Sequence, residues 1–504
     1  MTAPTATAMP LARIHELFDG WVARSPERIF LCQRGGDISY RTLAGMVDRL
    51  AEELRDDGVR PGDRVLIVAE NCAEHVALIF ACSRVGAWSC GVNARMAPGE
   101  IAGFAARSDP RAIYFTGAVS DAAAEHAARY GAQPSALPGL LRSAVRTEAV
   151  AESGPGAAQV AAMIFTSGTT GEPKGVLMTH DGVLHFARVS AQSRRLGPED
   201  RVYAYLPMTH IFGLGTMLAA SLHAGATLVM RSRFSPDDVV DALAHHGITN
   251  LQGPPALFSR LLLHLDRVGI DKPACPDLRY VYTGAGALDL GLKRRVEARF
   301  GMPLHHGYGM SEYAGGLYLT PMNAWRDDTS AGYRVEGAEL RIVGPDGVDL
   351  PTGETGEIWL RGRGLMPGYF RDEEATRQVM RPGGWYASGD LGRFADDGAL
   401  FVVGRLKEMI IRSGFNVYPA EVEAVLNAFA PVQSSAVVGR READGNEEVI
   451  AFVELRHGMS LDDAALQAHL RENLAPYKRP SEVRTVDHFP MTSSGKVLKR
   501  RLLD

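Results

Sequence analysis

Apolar side chains recur at helical spacing in the first part of the chain and alternate there with short apolar runs. Between residues 41 and 57 they return every third or fourth position, which predicts an amphipathic helix. A strand is predicted at 64–69, and Asn71 is predicted to cap a second helix that ends before Gly86. Helices and strands that alternate in this way predict a layered α/β domain with parallel strands.

The alternation continues through the middle of the chain. Further strands and helices of the α/β part are predicted at 202–206, 236–246, 248–251, 256–268 and 278–282. From about residue 334 to residue 404, short apolar runs are separated by turn signals, which predicts a small β-barrel-like region.

A second change of pattern follows Gly404. The last hundred residues combine predicted helices and strands at 419–428, 436–438, 449–454 and 461–474. A segment of this size is typical of a small separate domain. We therefore expect an N-terminal domain of residues 1–406, with its barrel-like part at 334–404, and a small α+β C-terminal lid domain of residues 407–504.

Composition and charge limit the kinds of protein and partner that can be expected. With 504 residues, 46% of them hydrophobic and 22% charged, the chain has the composition of an ordinary soluble globular protein of more than one domain. A net charge of −5 gives no broad basic face, so nucleic acid is not expected as the main partner. The cysteines are odd in number and lack a C-x-x-C pair, and neither a signal peptide nor a membrane span is recognisable, so we expect a cytoplasmic protein.

The most informative stretch is the sequence TSGTTGEPKG at 166–175. Its small residues let backbone N–H groups approach an anion, its hydroxyls add donors, and Lys174 adds a positive charge. The phosphate-loop pattern of nucleotide hydrolases fits this stretch poorly, because Pro173 precedes this lysine and Gly175 follows it. The pattern predicts a strand–turn–strand loop for a triphosphate, and a polar surface turn is the alternative. The residues expected to contact ATP here are Thr166, Ser167, Gly168, Thr169, Thr170, Gly171 and Lys174.

This loop closely resembles the signature loop of the adenylate-forming superfamily, which contains acyl- and aryl-CoA synthetases, adenylation domains of peptide synthetases and beetle luciferases. Four more stretches resemble the family's motifs in the family's order, and acyl-CoA synthetases are the most similar branch. These stretches are PMTHIFGLG at 207–215, YGMSE at 308–312, WYASGD at 385–390 with GRLKE at 404–408, and SSGKV at 493–497. The sequence departs from the family pattern at Ser311, where Thr is usual, at Ala285-Gly286 and at Met491.

The resemblance implies a catalytic group of four residues. Glu312 would hold Mg²⁺, Thr170 would contact phosphate, His210 would lie beside the substrate carboxylate, and Lys496 would reach from the small domain during adenylation. Taken singly, the last two have ordinary alternatives, a half-buried loop histidine and a solvated lysine in a basic tail. A serine–glutamate pair such as Ser311-Glu312 is also common at helix starts.

The resemblance also implies the binding residues for AMP and CoA. Those expected around the nucleotide, besides the loop and Lys496, are Gly284, Ala285, Gly286, Gly307, Tyr308, Gly309, Met310, Ser311, Asp390 and Arg405. Asp390 and Arg405 would hold the ribose, although a turn residue and a linker charge are the alternatives. CoA would pass Ser413, Gly414 and Phe415, and Lys407 would be the hinge.

For the acyl group, the resemblance points to a largely apolar pocket. Its expected lining is His210, Ile211, Phe212, Leu214, Gly253, Tyr282, Gly307, Tyr313, Gly315 and Gly316. Because His210 alone in this set can carry a positive charge, a monocarboxylic acid is expected rather than a dicarboxylic acid. Gly315 and Gly316 leave room for a chain, which favours a medium- or long-chain fatty acid.

The implied reaction joins a carboxylic acid to AMP from ATP and then to CoA, with Mg²⁺ as the metal. The alternatives are a benzoate- or cinnamate-type aryl acid, transfer to a carrier protein, and an inactive nucleotide-binding relative. A homodimer is compatible with the sequence. The histidine pairs at 245–246 and 305–306 lack metal-ligand spacing and are expected to be structural.

Overall fold

The computed structural model describes residues 12–154, 156–167, 173–412, 415–441, 446–492 and 497–503. The α-helices are α1 (His15–Arg24), α2 (Tyr40–Asp56), α3 (Ala73–Val85), α4 (Pro98–Ser108), α5 (Asp121–Arg129), α6 (His180–Ser193), α7 (Ala220–Ala224), α8 (Pro236–His245), α9 (Pro255–Val268), α10 (Leu290–Phe300), α11 (Glu373–Val379), α12 (Pro419–Asn427) and α13 (Asp463–Asn473).

The strands of the first half are β1 (Ile29–Gln33), β2 (Gly36–Ser39), β3 (Arg64–Ala69), β4 (Trp88–Asn93), β5 (Ala112–Phe115), β6 (Gln133–Pro134), β7 (Leu141–Arg142), β8 (Val160–Ser167), β9 (Pro173–Thr179), β10 (Arg201–Ala204), β11 (Thr227–Met230) and β12 (Asn250–Gly253). Those of the second half are β13 (Tyr280–Thr283), β14 (Leu304–Met310), β15 (Gly315–Leu319), β16 (Tyr333–Arg334), β17 (Ala338–Val343), β18 (Gly356–Gly362), β19 (Met380–Arg381), β20 (Trp385–Phe394), β21 (Leu400–Arg405), β22 (Ile410–Arg412), β23 (Phe415–Val417), β24 (Val432–Arg441), β25 (Glu447–Leu455) and β26 (Glu482–Val486).

The first of two compact units contains the described residues up to 250 together with 310–316 and 363–376. Its seven-stranded sheet has the order β6-β7-β5-β3-β4-β8-β9. The central pairs β5–β3, β3–β4 and β4–β8 are parallel, and β8–β9 is an antiparallel hairpin. The pairs β10–β11 and β11–β1 are also parallel. Every residue of β3 is buried, as expected for a central parallel strand covered by helices on both faces.

The second unit contains residues 251–309, 317–362 and the described residues from 377 onward. Its five-stranded antiparallel sheet has the order β17-β18-β20-β19, with β21 also paired to β20. This sheet lies where the sequence predicts the barrel-like region. Farther along, β24, β25 and β26 form a three-stranded sheet whose apolar core includes side chains of α12 and α13. The predicted fold class, layered α/β with a half-barrel sheet and a small α+β C-terminal part, is confirmed.

The start of α3 corrects one local prediction. Its N-cap is Cys72, and that side chain makes no capping hydrogen bond. The side chain of Asn71 instead donates to the carbonyl of Leu206 (2.9 Å) and accepts from the N–H of Met208 (3.0 Å). The prediction that Asn71 caps the helix was therefore wrong, because a long-range partner satisfies its amide. The predicted end of α3 at Gly86 is confirmed, with this glycine in the left-handed conformation at φ 80°.

Within the described ranges, no helix is both long enough and apolar enough to cross a bilayer. All five cysteines are free thiols.

Candidate active site

The glycine-rich stretch connects the two strands of a hairpin in the first unit. Phe165 of β8 is paired with Gly175 of β9, and Thr166 is paired with Lys174. The predicted strand–turn–strand form is thus present, while Gly168, Thr169, Thr170 and Gly171 lie outside the described residues. Gly175 is required by close packing, since a Cβ there would lie 2.6 Å from the Met163 sulfur.

Next to this hairpin, Tyr369 lies between the side chains of Lys174 and Glu312. The Lys174 ammonium lies 4.9 Å from the centre of the Tyr369 ring, within cation–π range. The Tyr369 hydroxyl donates to Glu312 Oε1 at 3.2 Å. Glu312 is half-buried in a short 3₁₀ turn, Ser311–Tyr313. Two predicted residues are therefore brought together by a third that the sequence analysis missed.

In the second unit, Asp390 accepts a hydrogen bond from a tyrosine and lies against an arginine. The Tyr308 hydroxyl donates to Asp390 Oδ2 at 2.8 Å, and Arg405 Nε lies 3.1 Å from Oδ1. Asp390 and Arg405 are cross-strand partners of β20 and β21. Burial and the nearby Asp390 charge raise the pKa of Tyr308 well above its usual value, so the phenol stays protonated and remains a donor. All three side chains belong to the predicted nucleotide set.

Two predicted glycines surround the hydroxyl of Tyr282. A Cβ on Gly284 would lie 2.8 Å from that oxygen, and a Cβ on Gly307 would lie 2.6 Å from it and 2.8 Å from the Tyr318 carbonyl oxygen. The N–H of Gly284 points to the carbonyl of Gly253 at 3.4 Å. Ala285 has a left-handed backbone at φ 63°. Small residues are thus required here because the backbone lies against a phenol.

The segment after His210 is helical. Phe212–Ala219 forms a π-helix in which Gly213 and Gly215 are buried. A Cβ on Gly213 would lie 2.2 Å from the carbonyl oxygen of Pro207, which explains the glycine by close packing rather than by flexibility. The N–H of Phe212 donates to His210 Nδ1 at 3.2 Å, which helps to orient the imidazole ring. π-Helical turns are frequent at functional sites.

Phe186 of α6 covers two glycines of the first unit. A Cβ on Gly315 would lie 2.3 Å from its ring, and a Cβ on Gly215 would lie 3.0 Å from it. The ring is only 5% exposed. The expectation that Gly315 opens room for an alkyl chain is wrong at this position, because an aromatic side chain fills the space. Tyr313 and Leu214 are buried, and Ile211 packs within 3.0 Å of the Gly215 Cβ position.

The predicted C-terminal residues are described only in part. Lys407 lies in the 3₁₀ turn Leu406–Glu408, and Phe415 is exposed and stacked on Tyr477 at 4.7 Å between ring centres. Ser413, Gly414 and Lys496 lie outside the described residues. Lys499, which follows Lys496 in the chain, forms ion pairs with Glu423 at 2.7 Å and with Glu408 at 3.5 Å.

A protein-only metal cage is not found in the described ranges, where no three His, Cys, Asp or Glu side chains cluster as ligands. His306 Nδ1 is 3.1 Å from the carbonyl of Thr329, and the His305 ring stacks on Tyr280. One half-buried carboxylate, Glu312, suits Mg²⁺ of the kind that keeps waters and substrate phosphate oxygens as its other ligands.

Comparison with known proteins agrees with this geometry. A model described as AMP-binding enzyme matches residues 18–370, and one described as AMP-binding enzyme C-terminal domain matches residues 421–496. The chain is 35% identical to an indoleacetate–CoA ligase of Aromatoleum aromaticum over 94% of this chain and 93% of the relative. It is 34% identical to a feruloyl-CoA synthase of an Amycolatopsis species, over 94% and 95% of the two chains.

Solved structures of adenylate-forming enzymes have a similar fold. ATP-bound MatB from Rhodopseudomonas palustris superposes with a TM-score of 0.85 at 29% identity, covering 97% of both chains. The o-succinylbenzoate CoA synthetase of Bacillus subtilis, in complex with ATP and magnesium, gives a TM-score of 0.81 at 28% identity, covering 97% of this chain and 99% of that one. The resemblance read from the motifs is therefore confirmed, as are the ligase class and the use of ATP, Mg²⁺ and CoA. The chain belongs to the family of AMP-binding, adenylate-forming enzymes, as an acid–thiol ligase that makes CoA thioesters.

Proposed function

We propose that the protein activates an aryl or arylalkanoic monocarboxylic acid rather than a fatty acid. The observation that carries this proposal is the Phe186 ring packed over Gly315 and Gly215. The sequence analysis took Gly315 as room for a long chain, whereas the Phe186 ring fills the space next to this glycine. Flat rings pack well against aromatic side chains, whereas an alkyl chain needs length.

The names of several relatives support the same substrate class. Besides the indoleacetate and feruloyl relatives, 4-coumarate–CoA ligase 5 of Oryza sativa is 32% identical, over 93% of this chain and 89% of the relative. A sulfoacetate–CoA ligase of Cupriavidus necator is 31% identical, so sequence identity alone does not decide which acid is the substrate. The proposed pocket has no lysine or arginine among its lining residues, and a second negative charge would be buried there at considerable cost.

In the first half-reaction, a carboxylate oxygen of the acid attacks the α-phosphorus of ATP. An acyl–phosphate bond forms, the bond to the β-phosphate oxygen breaks, and pyrophosphate leaves with its electron pair. We assign Lys174, the 166–175 loop and Lys496 to offset the negative charge that grows on the phosphates, and Glu312 to hold Mg²⁺, which supplies further charge neutralisation when bound. His210 would orient the carboxylate.

The remaining nucleotide contacts position the adenosine. Asp390 would accept hydrogen bonds from the ribose hydroxyls, with Arg405 and Tyr308 orienting its carboxylate. Gly284 and Ala285, Gly286 and the backbone of 307–311 would line the adenine and α-phosphate. The Cβ positions of Gly284 and Gly307 are taken up by the Tyr282 side chain, so these two glycines allow the phenol to pack closely against the backbone beside the proposed nucleotide site.

In the second half-reaction, the CoA thiol loses its proton and its sulfur attacks the acyl carbon, the bond from that carbon to the phosphate oxygen breaks, and AMP leaves with the electron pair. We propose that residues 407–504 act as a lid domain on the 1–406 domain, with Lys407 as the hinge, so that Lys496 serves the first step and Ser413, Gly414 and Phe415 guide CoA in the second. The exposed ring of Phe415, 56% accessible, is compatible with contact to a pantetheine arm.

The test is a panel of acids assayed for pyrophosphate release and for CoA-dependent AMP release. We expect indoleacetate, ferulate, 4-coumarate and benzoate to include the best substrate, with kcat/KM at least tenfold above that for octanoate or palmitate. A fatty acid as the best substrate would reject the aryl proposal and restore the expectation drawn from the sequence. AMP release that requires a carrier protein instead of CoA would favour the carrier-loading alternative.

A further inference from the structure

Tyr369 lies at the junction of three parts of the first unit. Its segment is paired with β9 through the Phe370 N–H, which donates to the Gly175 carbonyl at 2.7 Å, and through the Leu177 N–H, which donates to the Gly368 carbonyl at 3.3 Å. The Met366 N–H of the same segment donates to the carbonyl of Glu312 at 2.8 Å. The backbone of this segment therefore holds the hairpin of Lys174 and the turn of Glu312 together.

The side chain of Tyr369 reaches the same two places. The ring lies under the Lys174 ammonium at 4.9 Å, and the hydroxyl donates to Glu312 Oε1 at 3.2 Å. The ring face is the negative end of the aromatic quadrupole and the hydroxyl hydrogen is positive, so each end meets the charge it attracts. Tyr369 is 8% exposed, which fixes the ring in this orientation.

The neighbours of Tyr369 explain why its position is rigid. The Phe370 ring packs edge-on against Trp88 at 5.8 Å and lies beneath the buried guanidinium of Arg64 at 5.3 Å. Arg371 pairs with Glu152 at 2.8 Å. The N–H of Tyr369 itself donates to the Thr376 hydroxyl at 3.0 Å. Anchors on both sides thus leave the phenol little freedom to move.

We propose that Tyr369 is a positioning residue for adenylation, which sets the distance and orientation of the Lys174 ammonium and the Glu312 carboxylate before Mg²⁺ and ATP arrive. Groups that orient a metal-binding carboxylate through a hydrogen bond commonly change metal affinity by about 10–100-fold when removed. A preorganised cation costs less reorganisation when charge develops on the phosphates. This inference rests on the proposed roles of Glu312 and Lys174.

Two substitutions separate the two contacts. Tyr369→Phe removes the hydroxyl and keeps the ring, so we expect Mn²⁺, used as the probe for the metal, to bind the complex with α,β-methylene-ATP about tenfold more weakly by electron paramagnetic resonance. Tyr369→Leu also removes the ring, and we expect calorimetry to show a further weakening of α,β-methylene-ATP binding by about two- to fivefold. Tyr333→Phe is the matched control, because Tyr333 also donates to a carboxylate, that of Asp397 at 2.8 Å.

The half-reactions distinguish positioning from a merely structural role. In Tyr369→Phe, pyrophosphate release should fall about tenfold and recover at high Mg²⁺, while thioester formation from supplied acyl-adenylate should stay within twofold of the parent. Equal losses in both half-reactions, or unchanged Mn²⁺ affinity, would overturn the inference. If the enzyme prefers a fatty acid but Tyr369→Phe still weakens Mn²⁺ binding, only the aryl substrate is rejected. Failure of the substrate proposal can therefore be distinguished from failure of the inference about Tyr369.

Discussion

The phenol of Tyr308 donates a 2.8 Å hydrogen bond to the carboxylate of Asp390 across an interval of 82 residues. The tyrosine belongs to one family motif and the aspartate to another, so the contact joins two stretches that the sequence could only place in the same site by resemblance. Arg405 supplies the second partner of the carboxylate at 3.1 Å. Asp390 is thus held in one orientation from both sides.

Asp390→Ala should weaken ATP binding more than it weakens binding of the acid. The loss of charged hydrogen-bond acceptors should raise KM for ATP about tenfold to hundredfold, and the buried Tyr308 phenol should lose its acceptor at a cost of about 1–3 kcal/mol in the free energy of unfolding. Initial rates with ATP as the varied substrate, together with urea unfolding, measure both effects.

Asp397→Ala is the matched control for that experiment. Asp397 also accepts from a tyrosine and an arginine, Tyr333 at 2.8 Å and Arg326 at 3.0 Å, but its side chain is 46% exposed. KM for ATP should stay unchanged in this variant. A similar rise in both variants would show that disturbance of the sheet, and not loss of a ribose contact, is responsible.

Phe186→Leu should shift specificity towards longer acids. A smaller side chain uncovers the face of Gly315, so we expect the ratio of kcat/KM for octanoate to that for 4-coumarate to rise about tenfold, with a stability loss of about 1–1.5 kcal/mol. Phe30→Leu, at a fully buried phenylalanine of β1, should cost similar stability and leave the ratio unchanged. An unchanged ratio in Phe186→Leu would remove Phe186 from the acyl pocket.

Local elements could be predicted from the sequence because their signals are local. The apolar period predicts 41–57 as a helix, and α2 runs over Tyr40–Asp56. The polar run between two apolar stretches predicts the hairpin of β8 and β9, which is present. By contrast, the π-helix after His210 depends on a hydrogen-bond pattern that an apolar run does not specify, so the sequence did not predict it.

The missed residues share a different physical cause. Tyr369 reaches Glu312 through pairing of its segment with β9, and no local pattern around a Gly-Tyr pair indicates that pairing. Phe186 illustrates the complementary difficulty. A glycine in the sequence shows where a side chain is missing, but only the fold shows that a ring from α6 occupies the space over Gly315.

Tyr282→Phe should restore stability to different extents in alanine variants of the two glycines that pack against Tyr282. Gly284→Ala would place its Cβ against the end of the Tyr282 side chain, whereas Gly307→Ala would also meet the Tyr318 carbonyl oxygen at 2.8 Å. Adding Tyr282→Phe should therefore restore about 1 kcal/mol of stability to Gly284→Ala and little to Gly307→Ala. Urea unfolding of the single and double variants measures the coupling, and equal rescue of both would contradict the packing argument.

Lys496→Ala should separate the two half-reactions. If this lysine offsets charge only during adenylation, pyrophosphate release should fall by two orders of magnitude or more, about 3 kcal/mol in activation free energy. Thioester formation from supplied acyl-adenylate should remain within a few-fold of the parent. Lys272→Ala, at an exposed lysine, serves as the charge-matched control. Equal losses in both steps would reject the assigned division of labour.

Buried histidines predict a loss of stability in mild acid. Burial, with Arg13 nearby, lowers the pKa of His180 to about 3, and its Nδ1 accepts the N–H of Ile14 at 3.2 Å. Because the unfolded chain takes up this proton near pH 6.5 and the folded one does not, the stability that the neutral imidazole contributes is complete above pH 6.5. It is lost as pH falls towards 3, by up to about 1.4 kcal/mol per pH unit.

His180→Gln keeps an acceptor for the N–H of Ile14. It should reduce the dependence of the unfolding free energy on pH between pH 6.5 and 4.5 by up to about 1.4 kcal/mol per pH unit, which corresponds to one proton. His245→Gln, at a histidine whose side chain is 72% exposed, is the control for the substitution itself. An unaltered slope in His180→Gln would mean that this imidazole does not stay neutral in the folded protein.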